Sequence, residues 1–88
     1  MAASVDFLRR FAGIDNDVAT DDEVQNWIDI AVAWYARAGV PASTEGADYD
    51  YWVTNLAAWM YDHRGSGDEV PMLFVVSVHQ LRPARGDG

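Results

Sequence analysis

The sequence predicts an all-α protein, a small bundle of three main helices followed by a short C-terminal helix. Three segments begin with a capping residue or carboxylates, carry arginine near their last turn and are followed by glycine, which is the usual order of signals along a helix. Within them, apolar residues recur at helical spacing. At 88 residues the chain has room for one domain. We expect that domain to span residues 1–82 and residues 83–88 to form a flexible C-terminal tail.

The first helix is expected over Val5 to Ala12. Ser4 can accept a hydrogen bond from one of the free N–H groups of the first turn. Gly13 can take the left-handed conformation that often ends a helix. Together these residues predict a short helix with defined ends.

The second helix has the strongest start signal, because Thr20 and Glu23 stand at the spacing of a capping box. It should run to about Ala38, where Gly39 can close it and Pro41 prevents its continuation. Its predicted core-facing stripe consists of Val24, Trp27, Ala31, Trp34 and Ala38.

The third and fourth segments differ in how clearly they can be assigned. The third helix should begin near Asp48 and finish at His63 and Arg64, before Gly65. The segment from Pro71 to Leu81 is ambiguous, since its valines have strand propensity. Proline at a helix start and the helical spacing of Phe74, Val78 and Leu81, which would face inward, favour a short helix. A helix is therefore predicted, with a strand as the alternative.

Two long stretches without charge suggest more apolar surface than one small core can hide. They cover residues 30–36 and residues 51–61. A helix that is apolar on most sides must be buried on most sides, and a chain of this length has few elements with which to surround two such helices. We therefore predict a protein-binding or self-association surface. The alternative is that the four tryptophans and four tyrosines simply fill the core.

Aromatic and arginine side chains commonly anchor protein interfaces, and they supply the candidate site residues. Tyr61 and Arg64 share a helix face, so the ring can support the guanidinium or both can anchor a neighbouring chain. The full set of interface candidates is Trp34, Tyr35, Trp59, Tyr61, Arg64, Arg82 and Arg85.

The composition argues against several classes of function. A net charge of -8 opposes binding to nucleic acid or to an anionic membrane. No cysteine is present, and the two histidines, His63 and His79, lie in no metal-ligand pattern. No motif for a catalytic nucleophile, paired carboxylates or a phosphate-binding loop is visible. We expect no enzyme activity, no cofactor, no metal and no membrane partner.

With these residues laid out, the chain resembles the small head-tail connector (adaptor) proteins of long-tailed bacteriophages. The resemblance covers nearly the whole chain. Each of its sequence patterns is degenerate, so the resemblance depends on their order and spacing together. It rests on four segments, which are residues 11–15, the acidic entry at Asp21 and Asp22 into the second helix, residues 61–64, and residues 70–82 with Leu81 and Arg82.

The resemblance implies a mostly helical structural protein of the virion neck, present in the host cytoplasm during assembly. Copies would form a ring, typically of twelve, that joins the portal protein to the stopper or tail proteins, with DNA only passing through its channel. Tyr61, Arg64, Leu81 and Arg82 match recurrent positions of the family, and Arg82 and Arg85 are candidate portal contacts. The alternative function is a small acidic helical regulator that binds a host protein, for example as a nucleic-acid mimic.

Overall fold

A computed structural model describes residues 4–82, which form four helices and contain no strand. They are α1 (Val5–Ala12), α2 (Asp21–Arg37), α3 (Ala47–Asp62) and α4 (Met72–Leu81). The predicted all-α bundle of three main helices and a short C-terminal helix is confirmed. The last segment is a helix, not the strand that its valines allowed. The predicted tail, residues 83–88, lies outside the described residues.

Local signals fix the ends of the first two helices as expected. The Ser4 hydroxyl accepts a hydrogen bond from the Phe7 amide, and Gly13 ends α1 in the left-handed conformation, with φ of 69°. At the start of α2, the Thr20 hydroxyl accepts from the Glu23 amide while the Glu23 carboxylate accepts from the Thr20 amide. This reciprocal pair is the predicted capping box.

Helix α3 lies at the centre of the bundle and packs against each of the other three helices. Its buried side chains cover more than half of its circumference, as its apolar composition predicted. The core contains residues of every helix and of the loops that join α1 to α2 and α2 to α3. Its fully buried or nearly buried apolar members are Leu8, Ile14, Ala19, Val24, Ile28, Ala31, Tyr35, Val40, Tyr49, Val53, Leu56, Ala57, Ala58, Phe74 and Val78.

The core-facing stripe of α2 differs from the predicted one by a rotation of the helix. Its buried residues are Val24, Ile28, Ala31 and Tyr35. Trp27 and Trp34 are only partly buried and flank this stripe. Helical spacing from Val24 and Ala31 fits Ile28 and Tyr35 as well as it fits the two tryptophans, so spacing alone does not distinguish the two stripes. The hydrogen bond between Tyr35 and Ser77 of α4 places Tyr35 on the inner side.

A single hydrogen bond of buried hydroxyl groups joins α2 to α4. The Tyr35 and Ser77 oxygens lie 2.6 Å apart, and the Ser77 hydroxyl also contacts the Phe74 carbonyl oxygen at 2.6 Å. Phe74, Ser77 and Val78 therefore form the inner face of α4. This fixes which side of α4 remains outside.

Candidate protein-binding surface

The outer face of α4 is the largest run of exposed apolar side chains in the described part of the chain. Met72, Leu73, Val75 and Val76 are 70, 49, 40 and 49% exposed, respectively. They occupy the first two turns of a helix that contains no acidic residue and no lysine or arginine. We call these four residues the α4 face. Contiguous exposed apolar residues on a small protein usually mark a contact with another molecule.

Charged residues lie at both ends of the α4 face but not within it. Asp68 and Glu69 are exposed and precede the helix, and exposed Arg82 follows it directly. Exposed His79 and Gln80 make the last turn polar. The face is therefore an apolar centre between a negative end and a positive end, the arrangement of an interface core with a polar rim.

A chain of edge-to-face aromatic contacts extends from the core beneath α4 towards α1. The Trp52 ring lies 5.9 Å from the Phe74 ring and 5.3 Å from the Tyr51 ring, and Tyr51 lies 6.1 Å from Phe11. Tyr51 and Phe11 are both exposed. A second, smaller apolar patch thus lies on α1 and α3.

Tyr35 is not an interface residue, contrary to the prediction. Its side chain is fully buried, and its hydroxyl bonds Ser77. Burial raises the pKa of the Tyr35 phenol, with a smaller opposing effect from the Ser77 hydrogen bond. The side chain is inaccessible to a partner and serves the core. Trp34, its neighbour, packs edge-to-face on the Tyr35 ring at 4.9 Å and is half-buried.

Trp59 and Tyr61 are also half-buried and share their surface between the core and solvent. Trp59 packs near Phe74 and stacks on the His63 ring at 4.3 Å. The His63 Nδ1–H donates to the Trp59 carbonyl oxygen at 2.9 Å, so this histidine closes the end of α3. The stacked pair is a structural feature with one accessible side.

Arg64 and Tyr61 form the pair that their spacing predicted. The guanidinium carbon of Arg64 lies 4.1 Å from the centre of the Tyr61 ring, and the guanidinium donates to the Tyr61 carbonyl oxygen. The arginine is exposed, so the contact also presents a cation at the surface. The Tyr61 ring supports the guanidinium locally, and the exposed side of the guanidinium is accessible to a partner.

The two C-terminal arginines can be placed only in part. Arg82 is exposed, and its side chain lies over Gly39 at the end of α2, where a Cβ at position 39 would come within 3.2 Å of Nε. Its amide donates to the Val78 carbonyl oxygen and ends α4. Arg85 lies outside the described residues.

Possible metal ligands and a surface cleft are the remaining chemical features of the described residues. No three His, Asp or Glu side chains within residues 4–82 come together in a way that could hold a metal ion. A surface cleft of about 320 Å³ lies where α3 begins, beside the end of α4, and contains Glu45, Asp48 and Gln80. Thr44 and Tyr49 also line it, and no histidine does. In the same part of the chain, no helix has both the length and the apolar character to cross a membrane.

Comparison of the chain with protein-family models, with curated proteins and with solved structures finds no match in any of the three.

The α4 face was absent from the predicted site residues, which were placed on α2, α3 and the chain end. One signal could have found it. The segment from Met72 to Leu81 contains no charged residue, and four of its apolar residues lie off the predicted inner stripe of Phe74, Val78 and Leu81. The valines of this segment also have strand propensity, which made the segment ambiguous and left the solvent-facing side of the helix unassigned.

Proposed function

We propose that this chain is a non-enzymatic structural protein that works by binding other proteins, and that it serves as a head-tail connector of a long-tailed phage. The single observation that carries the first part is the uncharged, exposed α4 face. The phage assignment is the more specific step and draws on the sequence resemblance.

The resemblance fits the positions of its segments in the fold. Residues 11–15 lie at the end of α1, residues 61–64 at the end of α3, and Leu81 and Arg82 at the end of α4. Helix ends are where side chains either close a helix or reach a neighbouring chain. Arg64 is exposed at such an end, beside Tyr61, and so is Arg82. Both are available for a contact of the kind that a ring or a portal requires.

The charge distribution supports the same function. The connector surrounds a channel through which DNA passes, and a negatively charged wall does not retain DNA. The chain has 14 acidic residues against six basic ones. Asp15, Asp17, Asp21 and Asp22 are all exposed near the start of α2.

The same carboxylates support a second candidate function, an acidic regulator that imitates nucleic acid and binds a basic host protein. This candidate uses the acidic end of α2 and gives no role to the α4 face. The two functions therefore make opposite predictions for changes in α4.

The test is assembly with the portal protein whose gene we expect beside this one. Mixed with that portal, the chain should form ring-shaped particles in electron micrographs. Val76→Glu, which places a charge in the α4 face, should prevent their formation. Ala33→Glu is the matched control, since it adds the same charge at an exposed position of α2.

Assembly of the wild type and of Ala33→Glu, but not of Val76→Glu, supports the connector function. Failure of the wild type to bind the portal of its own genome would contradict it. Equal assembly by Val76→Glu would remove the α4 face from the proposal. The regulator function would instead gain from binding to a basic host protein that competes with DNA and is insensitive to Val76→Glu.

A further inference from the structure

We propose that the free protein forms a weak two-fold dimer in which the α4 face of one copy lies antiparallel on the α4 face of a second copy. This goes beyond the proposed function, which concerns other proteins of the particle. It rests on the same face but not on the phage assignment, so either proposal can fail without the other.

The composition of the α4 face suits pairing with itself. Val76 lies near the centre of the exposed side, with Met72 one turn earlier and Leu73 and Val75 at the edges. Because none of the four residues of the α4 face is ionisable, two such faces can meet without desolvating a charge. The polar groups His79 and Gln80 lie at the end of the face, where solvent remains accessible.

The charges at the helix ends select the antiparallel arrangement. Asp68 and Glu69 precede α4, and Arg82 follows it. A parallel pair would bring carboxylates against carboxylates and arginine against arginine. An antiparallel pair brings each arginine towards the carboxylates of the other copy and also opposes the two helix dipoles.

The register follows from placing the two-fold axis beside the middle of the α4 face, between Leu73 and Val75. Met72 of one copy then lies opposite Val76 of the other, and Leu73 lies opposite Val75. Arg82 extends past the start of the other helix, towards the two carboxylates that precede it. The apolar contact and the charge contact are therefore compatible in one arrangement, as a self-complementary interface requires.

The dimer must be weak. A ten-residue helix is about 15 Å long, and its single face is much smaller than the roughly 800 Å² that each partner buries in a stable interface. The net charge of -8 on each copy also opposes association. We expect a dissociation constant between about 10 μM and 1 mM.

Weak pairing has a consequence for assembly. A closed ring is built from head-to-tail contacts, whereas this dimer is two-fold, so the same α4 face cannot serve both at once. The dimer would cover the α4 face in the free protein until a partner with a larger interface displaces the second copy.

Sedimentation equilibrium between about 10 μM and 1 mM tests the proposal on the full chain. The wild type should shift from monomer to dimer over this range. Val76→Glu should remain monomeric, and Val76→Ser, which introduces no charge, should weaken the dimer at least several-fold. Ala33→Glu should dimerise like the wild type. Circular dichroism at low concentration verifies that each variant is folded.

The antiparallel arrangement has its own test in charge reversal. Glu69→Arg alone and Arg82→Glu alone should each weaken the dimer several-fold, because each places like charges together. The double variant should recover most of the affinity, since opposite charges then face each other again. A wild type that stays monomeric at 1 mM, or a dimer unaffected by Val76→Glu, would overturn the proposal. A double variant weaker than both single variants would overturn the antiparallel arrangement.

Discussion

Helices α2 and α4 both pack on α3, yet they meet solvent in opposite ways. Helix α2 begins with a complete capping box, and its outer side carries Asp22, Asn26, Asp29 and Arg37. Ile30 is its one large exposed apolar residue. Helix α4 has no side-chain cap at its start, and its outer side is the α4 face.

The outer side of α2 is suited to contact with water, whereas the α4 face has the composition of a protein-binding surface. The outer side of α2 is what an isolated domain needs on a solvent-facing helix. Helix α4 leaves four large apolar side chains in water, although its inner face already anchors it through Phe74 and Ser77. The exposed side chains are not needed to hold the helix in place, so we attribute them to binding.

The largest expected effect comes from a substitution that disrupts the core beneath α2 and leaves α4 unchanged. Ile28 is fully buried, so Ile28→Ala should lower the free energy of unfolding by about 2–5 kcal/mol through lost burial and a cavity. Val76→Ala, at a half-exposed position, should change it by less than about 0.5 kcal/mol. Urea denaturation at low protein concentration measures both. Equal losses would mean that α4 is as buried as α2.

A smaller effect concerns the loop that leads into α2. The Arg9 side chain is 11% exposed and donates to the Ala19 and Ile14 carbonyl oxygens and to the Asp21 carboxylate, with the shortest bonds at 2.8 Å. Arg9→Met should cost about 1.5–3 kcal/mol, because these acceptors lose a charged donor.

Asp21→Asn is the control for that change. The Asp21 side chain is 78% exposed, and exposed ion pairs contribute little. It should cost well under about 1 kcal/mol in the same denaturation experiment. If Asp21→Asn costs as much as Arg9→Met, the ion pair and not the carbonyl bonds holds the loop.

Two buried tyrosines, Tyr35 on α2 and Tyr49 on α3, allow a paired test of what a buried hydroxyl contributes. Tyr35→Phe removes the hydroxyl that bonds Ser77 and should cost about 1 kcal/mol. Tyr49→Phe removes a buried hydroxyl that has no hydrogen-bond partner among the described residues, so it should be neutral or stabilising. Thermal or urea unfolding compares them directly. A greater loss for Tyr49→Phe would show that its hydroxyl is bonded.

An effect similar in size to that of Tyr35→Phe concerns the cap that α2 has and α4 lacks. Thr20→Ala should cost about 1 kcal/mol. The Thr20 amide holds the pKa of the Glu23 carboxyl below its ordinary value of about 4.5, with a smaller contribution from the Thr20 hydroxyl.

A lowered pKa in the folded state means that the Glu23 charge stabilises the fold above the ordinary pKa and that this contribution is lost as the pH falls through the folded value. Glu23→Gln should therefore melt below the wild type at pH 7, and the difference should disappear as the pH drops well below 4.5. A difference that persists at low pH would show that it does not arise from the charge.

The helix ends could be predicted because their signals are local. Ser4, Thr20 and Gly13 act on backbone groups within a few residues, so the sequence alone indicates where α1 and α2 begin or end. The same holds for Tyr61 in the last turn of α3 and Arg64 in the turn that follows, whose contact depends only on their separation of three residues.

The orientation of α2 could not be predicted, because it depends on a distant residue. Trp34 and Tyr35 are adjacent aromatic residues, and either can lie on a helical stripe with Ala31. The choice is made by Ser77, 42 residues away from Tyr35, whose hydroxyl group satisfies the buried phenol. The outer side of α4, by contrast, follows from the helical spacing of Phe74, Val78 and Leu81, which leaves the α4 face on the other side.

We propose that the α4 face binds protein and contributes little to folding, and this is the central claim to test. The most direct measurement compares the wild type, Val76→Glu and Ala33→Glu for binding to the portal protein that we propose as its partner, using variants shown by urea denaturation to be equally stable. We expect the wild type and Ala33→Glu to bind and Val76→Glu to lose binding at unchanged stability. Binding by Val76→Glu as tight as that of the wild type would contradict the claim.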